Sequence, residues 1–350
     1  MIERRKTKKV KVGDIFIGGD SEITVQSMLN VPANDIRGNV EQAKRLEKAG
    51  CEIIRAAVPD LEAVKTIAAL KENVKIPVVA DIHFNYKIAL ACVDAGVDKI
   101  RINPGNIGDD ENVRAVAKKC SQSGVPIRIG VNSGSVEKHI LEKYGAPTAL
   151  AMAESAMYHV RLLEKFDFDD IVISIKSSNV QTMIEAYETV ASMCDYPLHL
   201  GVTEAGTRRM GMLKSAVGIG SLLTRGIGDT IRVSLTDDPT EEVRAGLDIL
   251  KAAGLRNDTP TLVSCPTCGR TKIDLISLAA EVEEKLRSVK KPITVAVMGC
   301  AVNGPGEARE ADVGIAGGDG CGLVFKHGEI IKKVSEEKLV DELMKEIENL

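Results

Sequence analysis

Residues 76–104 read IPVVADIHFNYKIALACVDAGVDKIRINP. A β-branched run gives way to an amphipathic stretch, YKIALACVDAG, that stops at a glycine, and a second β-branched run follows at once. A helix between two short strands carries the chain back across the sheet, so the strands lie parallel. The same unit recurs on both sides. Strands are expected in ITVQSM, EIIRAAV, IPVVADI, DKIRINP, PIRIGVN, DIVISIK, PLHLGVT and DTIRVSL. The helical stretches between and after them begin with NDIRGNVEQAKRLEKAG, where Val40, Ala43 and Leu46 repeat at helical spacing and Gly50 supplies the stop, and end with TEEVRAGLDILKAAG. Eight such units in about 250 residues match the usual size of a (β/α)8 TIM barrel, and an open doubly wound sheet rarely reaches eight equal repeats. VKVGDIFIGGDSEI, ahead of the first unit, reads as a hairpin able to plug the barrel floor.

After LKAAGLRNDTP the rhythm stops. A chain of 350 residues exceeds what one core usually holds, so two domains are expected: a barrel over 1–255, a linker near 254–260 and a small α+β domain over 256–350. Forty-six Lys and Arg against fifty Asp and Glu give a net charge of −4, so no overall basic field recruits nucleic acid. Trp is absent and aromatics make up 3%, which leaves little for bases to stack on. No apolar run approaches the roughly 18 residues of a membrane span, and the charged opening MIERRKTKKVKVGD lacks a following apolar region. A cytoplasmic protein is expected, its helical cysteines acting as small core residues in a reducing compartment.

Strand alternation carries chemistry as well as fold. If the isoleucines of KIRIN face the outer helices, Arg101 and Asn103 face the barrel interior. The same logic turns Arg55, Arg128 with Asn132, Lys176, and Arg232 with Ser234 inward, toward the strand ends where barrel enzymes bind and react. The opposing carboxylates expected there are only Asp81 and Glu204. Any single inward Arg has an equally good account in bonds to backbone carbonyls. Five cations against two carboxylates have a better one: an anion, such as a phosphate or diphosphate, completes the site, because an unpaired buried cation costs several kcal/mol or more. His83 and His199 also lie at strand ends, as substrate ligands or as packing residues. Glu204 either shuttles protons or holds a neighbouring Arg.

SCPTCGR at 264–270 and MGCAVNGPGE at 298–307 carry Cys265, Cys268 and Cys300. A structural zinc ribbon wants a second C-x-x-C pair, which is missing, and a thioredoxin-like disulfide motif would open the helix of a βαβ unit. Thiolates also hold iron–sulfur clusters, normally through four ligands. Glu307 in the NGPGE turn is one candidate for the fourth, and Cys321 in GGDGCGLVF is its rival. A carboxylate on that iron would be exchangeable for substrate.

VQSM, ADIHFN, RINPGNIG, IRIGVNSGS, SIKSS, HLGVTEAG, DTIRVSL, SCPTCGRT and MGCAVNGPGEA, spread over almost the whole chain, resemble the family of (E)-4-hydroxy-3-methylbut-2-enyl diphosphate synthases, in its shorter bacterial layout. The resemblance implies a [4Fe-4S] cluster held by Cys265, Cys268, Cys300 and Glu307, in an enzyme that reductively opens methylerythritol cyclodiphosphate and eliminates water. It implies that Arg55, His83, Arg101, Arg128, Asn132, Lys176, Thr203, Arg232 and Ser234 grip the substrate and that Asn303 approaches its hydroxyl. Asp81 and Glu204 match acid/base or positioning groups, with the proton donor open between them. It also implies ferredoxin or flavodoxin as electron donor, and a homodimer in which the cluster domain of one chain caps the barrel of the other. The rival readings are a phosphate-binding aldolase or isomerase barrel with a zinc appendage, and a metal-containing sensor without turnover.

Overall fold

Gly13, at φ 57°, turns β1 (Val10–Val12) back along β2 (Ile15–Ile17), a left-handed conformation that costs an L side chain about 1–2 kcal/mol. In this computed structural model, residues 2–301, 306, 308–318 and 320–350 are described. The hairpin is the expected floor plug: Val10, Val12 and Ile17 pack against Ile53, Val79 and Val172.

Eight parallel strands follow, namely β3 (Thr24–Met28), β4 (Ile53–Ala57), β5 (Val78–Asp81), β6 (Lys99–Ile102), β7 (Ile127–Asn132), β8 (Ile171–Lys176), β9 (His199–Leu200) and β10 (Thr230–Ile231). They are ordered β8-β7-β6-β5-β4-β3-β10-β9, and a parallel Ile173–Leu198 bridge joins the two ends. The outer layer is α1 (Ile36–Lys48), α2 (Val64–Asn73), α3 (Tyr86–Asp94), α4 (Asp110–Ser123), α5 (Lys138–Tyr144), α6 (Ala149–Glu164), α7 (Val180–Met193), α8 (Arg208–Leu223) and α9 (Pro239–Ala252). Six of these helices start where a short polar side chain, Asp35, Asn85, Asp109, Thr148, Asn179 or Asp238, accepts a first-turn backbone N–H. Each such cap is worth about 1 kcal/mol.

Two features depart from the expected rhythm. The short helix α5 is additional. The seventh and eighth strands, expected over 197–203 and 229–235, are only two residues each. Beyond Leu200 the chain leans toward β8, with Thr203 N–H donating to Ser177 O at 3.3 Å, and the ladder to β10 ends where Arg232 N–H donates to Leu200 O at 2.9 Å.

The chain divides into two compact units, Met1–Leu255 and Arg256–Leu350. The second unit is a five-stranded sheet, β11 (Thr261–Ser264), β12 (Thr294–Met298), β13 (Val313–Gly317), β14 (Gly322–Lys326) and β15 (Glu329–Val334), in sequence order. The first two pairings are parallel and the last two antiparallel. Helices α10 (Leu275–Leu286) and α11 (Leu339–Glu348) bury Leu275, Val282, Leu286, Leu339, Leu343 and Ile347 against Val295, Val297, Val313, Ile315 and Val324. Ala296, Met298, Ala316, Leu323 and Phe325 form a second cluster, against which Cys265, Ala301 and Cys321 pack. No helix among the described residues is long and apolar enough to cross a membrane.

Candidate active site

Alternation along the barrel strands decides which side chains meet. Ile100 and Ile102 pack outward into the helix layer, so Arg101 enters the barrel beside Asp81 of β5 and Arg128 of β7, its register partners. Arg55, Arg101, Arg128, Asn132, Lys176, Thr203, Arg232 and Ser234 together line one cavity at the strand ends, completed by Gly130 and Ser174. It encloses roughly 390 Å³ free of protein atoms, part of it open to solvent. The inward glycines make this possible. A Cβ on Gly130 would come within 2.3 Å of Arg101 Nε, and one on Gly201 within 2.9 Å of Lys176 Nζ, so long cations lie where a neighbouring strand has no side chain.

Asp81, 1% exposed, holds two of the cations: Arg55 Nη2 is 2.7 Å from Oδ2 and Arg101 Nη1 is 3.4 Å from Oδ1. Burial alone would raise its pKa, but Arg55 and then Arg101 outweigh burial and hold the carboxyl well below the usual range. Arg101 also donates to Gly130 O at 2.6 Å, and Asn103 Oδ1 accepts Gly130 N–H at 3.0 Å. Arg232 is held by a residue the sequence reading did not include, Glu242 on α9, at 3.3 Å. That carboxylate also accepts Ser27 Oγ–H at 3.1 Å and Leu235 N–H at 3.0 Å.

The expectation that Asp81 and Glu204 are the only opposing carboxylates is therefore corrected. Glu242 is the second, and nothing local in TEEVRAG marks it, because its partner lies across a loop. Glu204 is exposed and is not among the cavity-lining residues. Its backbone sits at φ 51°, a region costly for a non-glycine residue and most frequent at functional sites.

The charge imbalance persists once these pairs are counted. Arg128, 1% exposed, has a single polar contact, Gln26 Oε1 at 3.3 Å, and no carboxylate partner among the described residues. Lys176 is buried, and burial followed by Arg232 and Arg55 presses its ammonium well below the ordinary lysine range. Burial acts on Arg128 in the same direction, reinforced by Arg55 and Arg101.

The two histidines part company. His83 is exposed, stacks obliquely on Phe84 with centroids 6.0 Å apart, and lies near enough to Asp81 for its charge to bear on it. His199 is instead fully buried below the mouth, with both ring nitrogens unpartnered. Lys99, two residues before Arg101, is another buried inward residue; the alternation that placed Arg101 could have found it.

In the second unit, Cys265 and Cys300 follow the carboxyl ends of β11 and β12, which run parallel with Ser264 opposite Val297. Cys265 Sγ accepts Gly299 N–H at 3.2 Å. Cys268 is exposed, and the Arg270 backbone N–H, the Arg270 side chain and then Thr271 draw its thiol toward the thiolate. The barrel thiols behave oppositely: burial pushes Cys51, Cys92 and Cys120 up to about 12. An exposed thiol drawn toward ionisation at Cys268 and N–H···S bonding at Cys265 fit cluster ligands. Among the described residues no three His, Cys, Asp or Glu side chains are grouped closely enough to hold a metal ion. Glu307 and Asn303 lie outside the described residues.

Family comparison places this geometry among known proteins. Residues 7–247 match a family model described as the GcpE TIM-barrel domain, and residues 261–349 match the GcpE protein C-terminal domain. The chain is 58% identical over 350 residues to a Geobacillus thermodenitrificans protein, covering 100% of this chain and 94% of the relative. It is 59% identical over 349 residues to one from Clostridium acetobutylicum, covering 100% of both. Each bears the name 4-hydroxy-3-methylbut-2-en-1-yl diphosphate synthase (flavodoxin). Among solved structures, the Yersinia pestis dihydropteroate synthase superposes with a TM-score of 0.50 at 14% identity, over 70% of this chain and 98% of that one. The Plasmodium falciparum HPPK-DHPS does so at 0.52 and 15%, over 72% of this chain and 49% of that one. At such identities these two share the barrel fold alone.

Proposed function

The chain belongs to the GcpE family, and on that premise we propose that it is a 4-hydroxy-3-methylbut-2-en-1-yl diphosphate synthase of isoprenoid biosynthesis. It takes up 2-C-methyl-D-erythritol 2,4-cyclodiphosphate in the barrel mouth, opens the ring, and reduces the carbon skeleton by two electrons with loss of one water. The observation that carries this reading is the surplus of cations around the cavity: Arg128 and Lys176 have no carboxylate partner there, while Asp81 and Glu242 are already committed. A diphosphate supplies the missing charge, and guanidinium forks fix its orientation.

In this reading Arg55, Arg101, Arg128, Lys176 and Arg232 hold the diphosphate, and Asn132, Thr203 and Ser234 bond its remaining oxygens and hydroxyls. Asp81 positions Arg55 and Arg101. Because those two cations keep it ionised, it is a poor proton donor. Glu204, exposed beside Thr203, is the carboxyl left to relay protons from solvent. His83 and Asn303 complete the grip on the diol. Cys265, Cys268, Cys300 and Glu307 would hold a [4Fe-4S] cluster, which when bound supplies electrons singly and an iron whose carboxylate ligand exchanges. Reduced flavodoxin, which the relatives' names include, or a ferredoxin delivers the electrons. Closure of one protomer's cluster domain over its partner's barrel in a homodimer, in the cytosol, would exclude water.

The reading is tested by titrating oxidised, cluster-loaded protein with the cyclodiphosphate and comparing Arg128→Ala. Removing one charged hydrogen-bond donor to phosphate weakens binding by about 1.5–3 kcal/mol, with the visible spectrum of the free protein unchanged. Equal affinity in the two proteins takes Arg128 out of the site.

A further inference from the structure

Below the cations of the mouth, at the level of the floor residue Val79, β6 sends Lys99 into the barrel interior. Lys99 is 0% exposed and its Nζ has no hydrogen-bond partner. The nearby acids are spent. Asp98 is taken by Lys71 Nζ at 2.5 Å and Val78 N–H at 2.8 Å. Asp81 is taken by Arg55 and Arg101, and Glu242 by Arg232. Besides Asp98, what bears on Lys99 is positive or neutral: Arg128 from β7 and the unpartnered ring of His199 from β9.

A fully buried ammonium without a hydrogen-bonded counterion, beside the guanidinium of Arg128, is strongly disfavoured, and the amine gives up its proton instead. Burial first and Arg128 second press Lys99 in that direction. Binding of a dianion a few residues above reverses the local field. The groups that resisted a proton on Lys99 are then neutralised from the other side. His199 starts from a far lower intrinsic basicity and stays neutral.

We propose that Lys99 is a proton-storing group of the barrel interior, neutral in the free enzyme and charged by a proton from solvent when the anionic substrate fills the mouth. Lys99 touches no substrate atom; it adjusts the charge beneath the site so that the bound dianion is matched. This inference rests on the anion-binding reading of the cavity. It makes substrate affinity pH-dependent: each proton taken up lowers affinity tenfold per pH unit as pH rises across the window in which Lys99 is neutral when free and charged when bound.

The experiment is calorimetry of cyclodiphosphate binding to the oxidised holoenzyme without reductant, in buffers of different ionisation enthalpy, between pH 6.5 and 8.5. Ring diphosphate oxygens resemble phosphodiesters and do not titrate there, so proton uptake belongs to the protein. Lys99→Met and Lys99→Gln should each take up one proton fewer than the wild type, and their affinity should fall about tenfold less per pH unit. Both should also be at least as resistant to denaturation, because a buried unpaired polar group has been removed or muted. Binding with proton uptake unchanged in both variants overturns the role of Lys99 and leaves the anion site standing. Failure of the wild type to bind overturns the anion site, and the inference falls with it.

Discussion

At the scale of the residue, Asp81 carries the most structural consequence. Its carboxylate is the shared partner of Arg55 and Arg101 inside the barrel. Replacing it with Asn leaves two buried cations uncompensated, a loss of about 3–5 kcal/mol of stability at neutral pH. The sign of the pH effect follows from the direction of the shift. The folded-state pKa lies below the unfolded value, so the stabilisation is present above about pH 4 and disappears as the pH falls further. Denaturant melts of Asp81→Asn should show lower stability at pH 7 and a shallower decline from pH 5 downward than the wild type; parallel curves would contradict the assignment. The inward-facing cations were legible in the sequence because period two is unambiguous once a strand is placed. Glu242 was not, since its pairing with Arg232 depends on how α9 returns to the barrel, and Lys99 went unread although it shares the pattern of Arg101.

At the scale of the element, the alternation of strand and helix told nearly everything, since eight repeats leave one sensible closure. The shortened β9 and β10 were not legible: both segments have strand composition, and what ends their ladders is the turn of residues 201–203 toward β8. The floor hairpin gives a clean test of how elements are fastened. Ile17 is 0% exposed against Ile53, Val79 and Val172, whereas Phe16 on the same strand is 43% exposed. Ile17→Ala should cost about 2–5 kcal/mol, while Phe16→Ala should stay within about 0.5 kcal/mol of wild type. Equal costs in thermal or chemical unfolding would mean that the hairpin does not seal the barrel through its buried face.

At the scale of the whole molecule, the two units divide the work. The barrel collects cations around one cavity, and the smaller unit exposes Cys268, its thiol drawn toward ionisation, while burial pushes the barrel thiols Cys51, Cys92 and Cys120 the other way. The spacing of the cysteines was plain in the sequence, but their ligand set was not. One further donor is needed, and spacing alone left Glu307 and Cys321 as rivals until the family resemblance favoured the carboxylate. The central claim, a cluster-bearing reductase fed through a diphosphate-binding barrel, is met most directly by one measurement. Anaerobically purified protein is assayed for iron, zinc and acid-labile sulfide, and then for turnover of methylerythritol cyclodiphosphate with reduced flavodoxin, beside Cys300→Ala. The account predicts about four irons and four sulfides per chain, product in the wild type, and loss of both cluster and turnover in the variant. Zinc without sulfide, or full turnover by Cys300→Ala with its cluster intact, would contradict it.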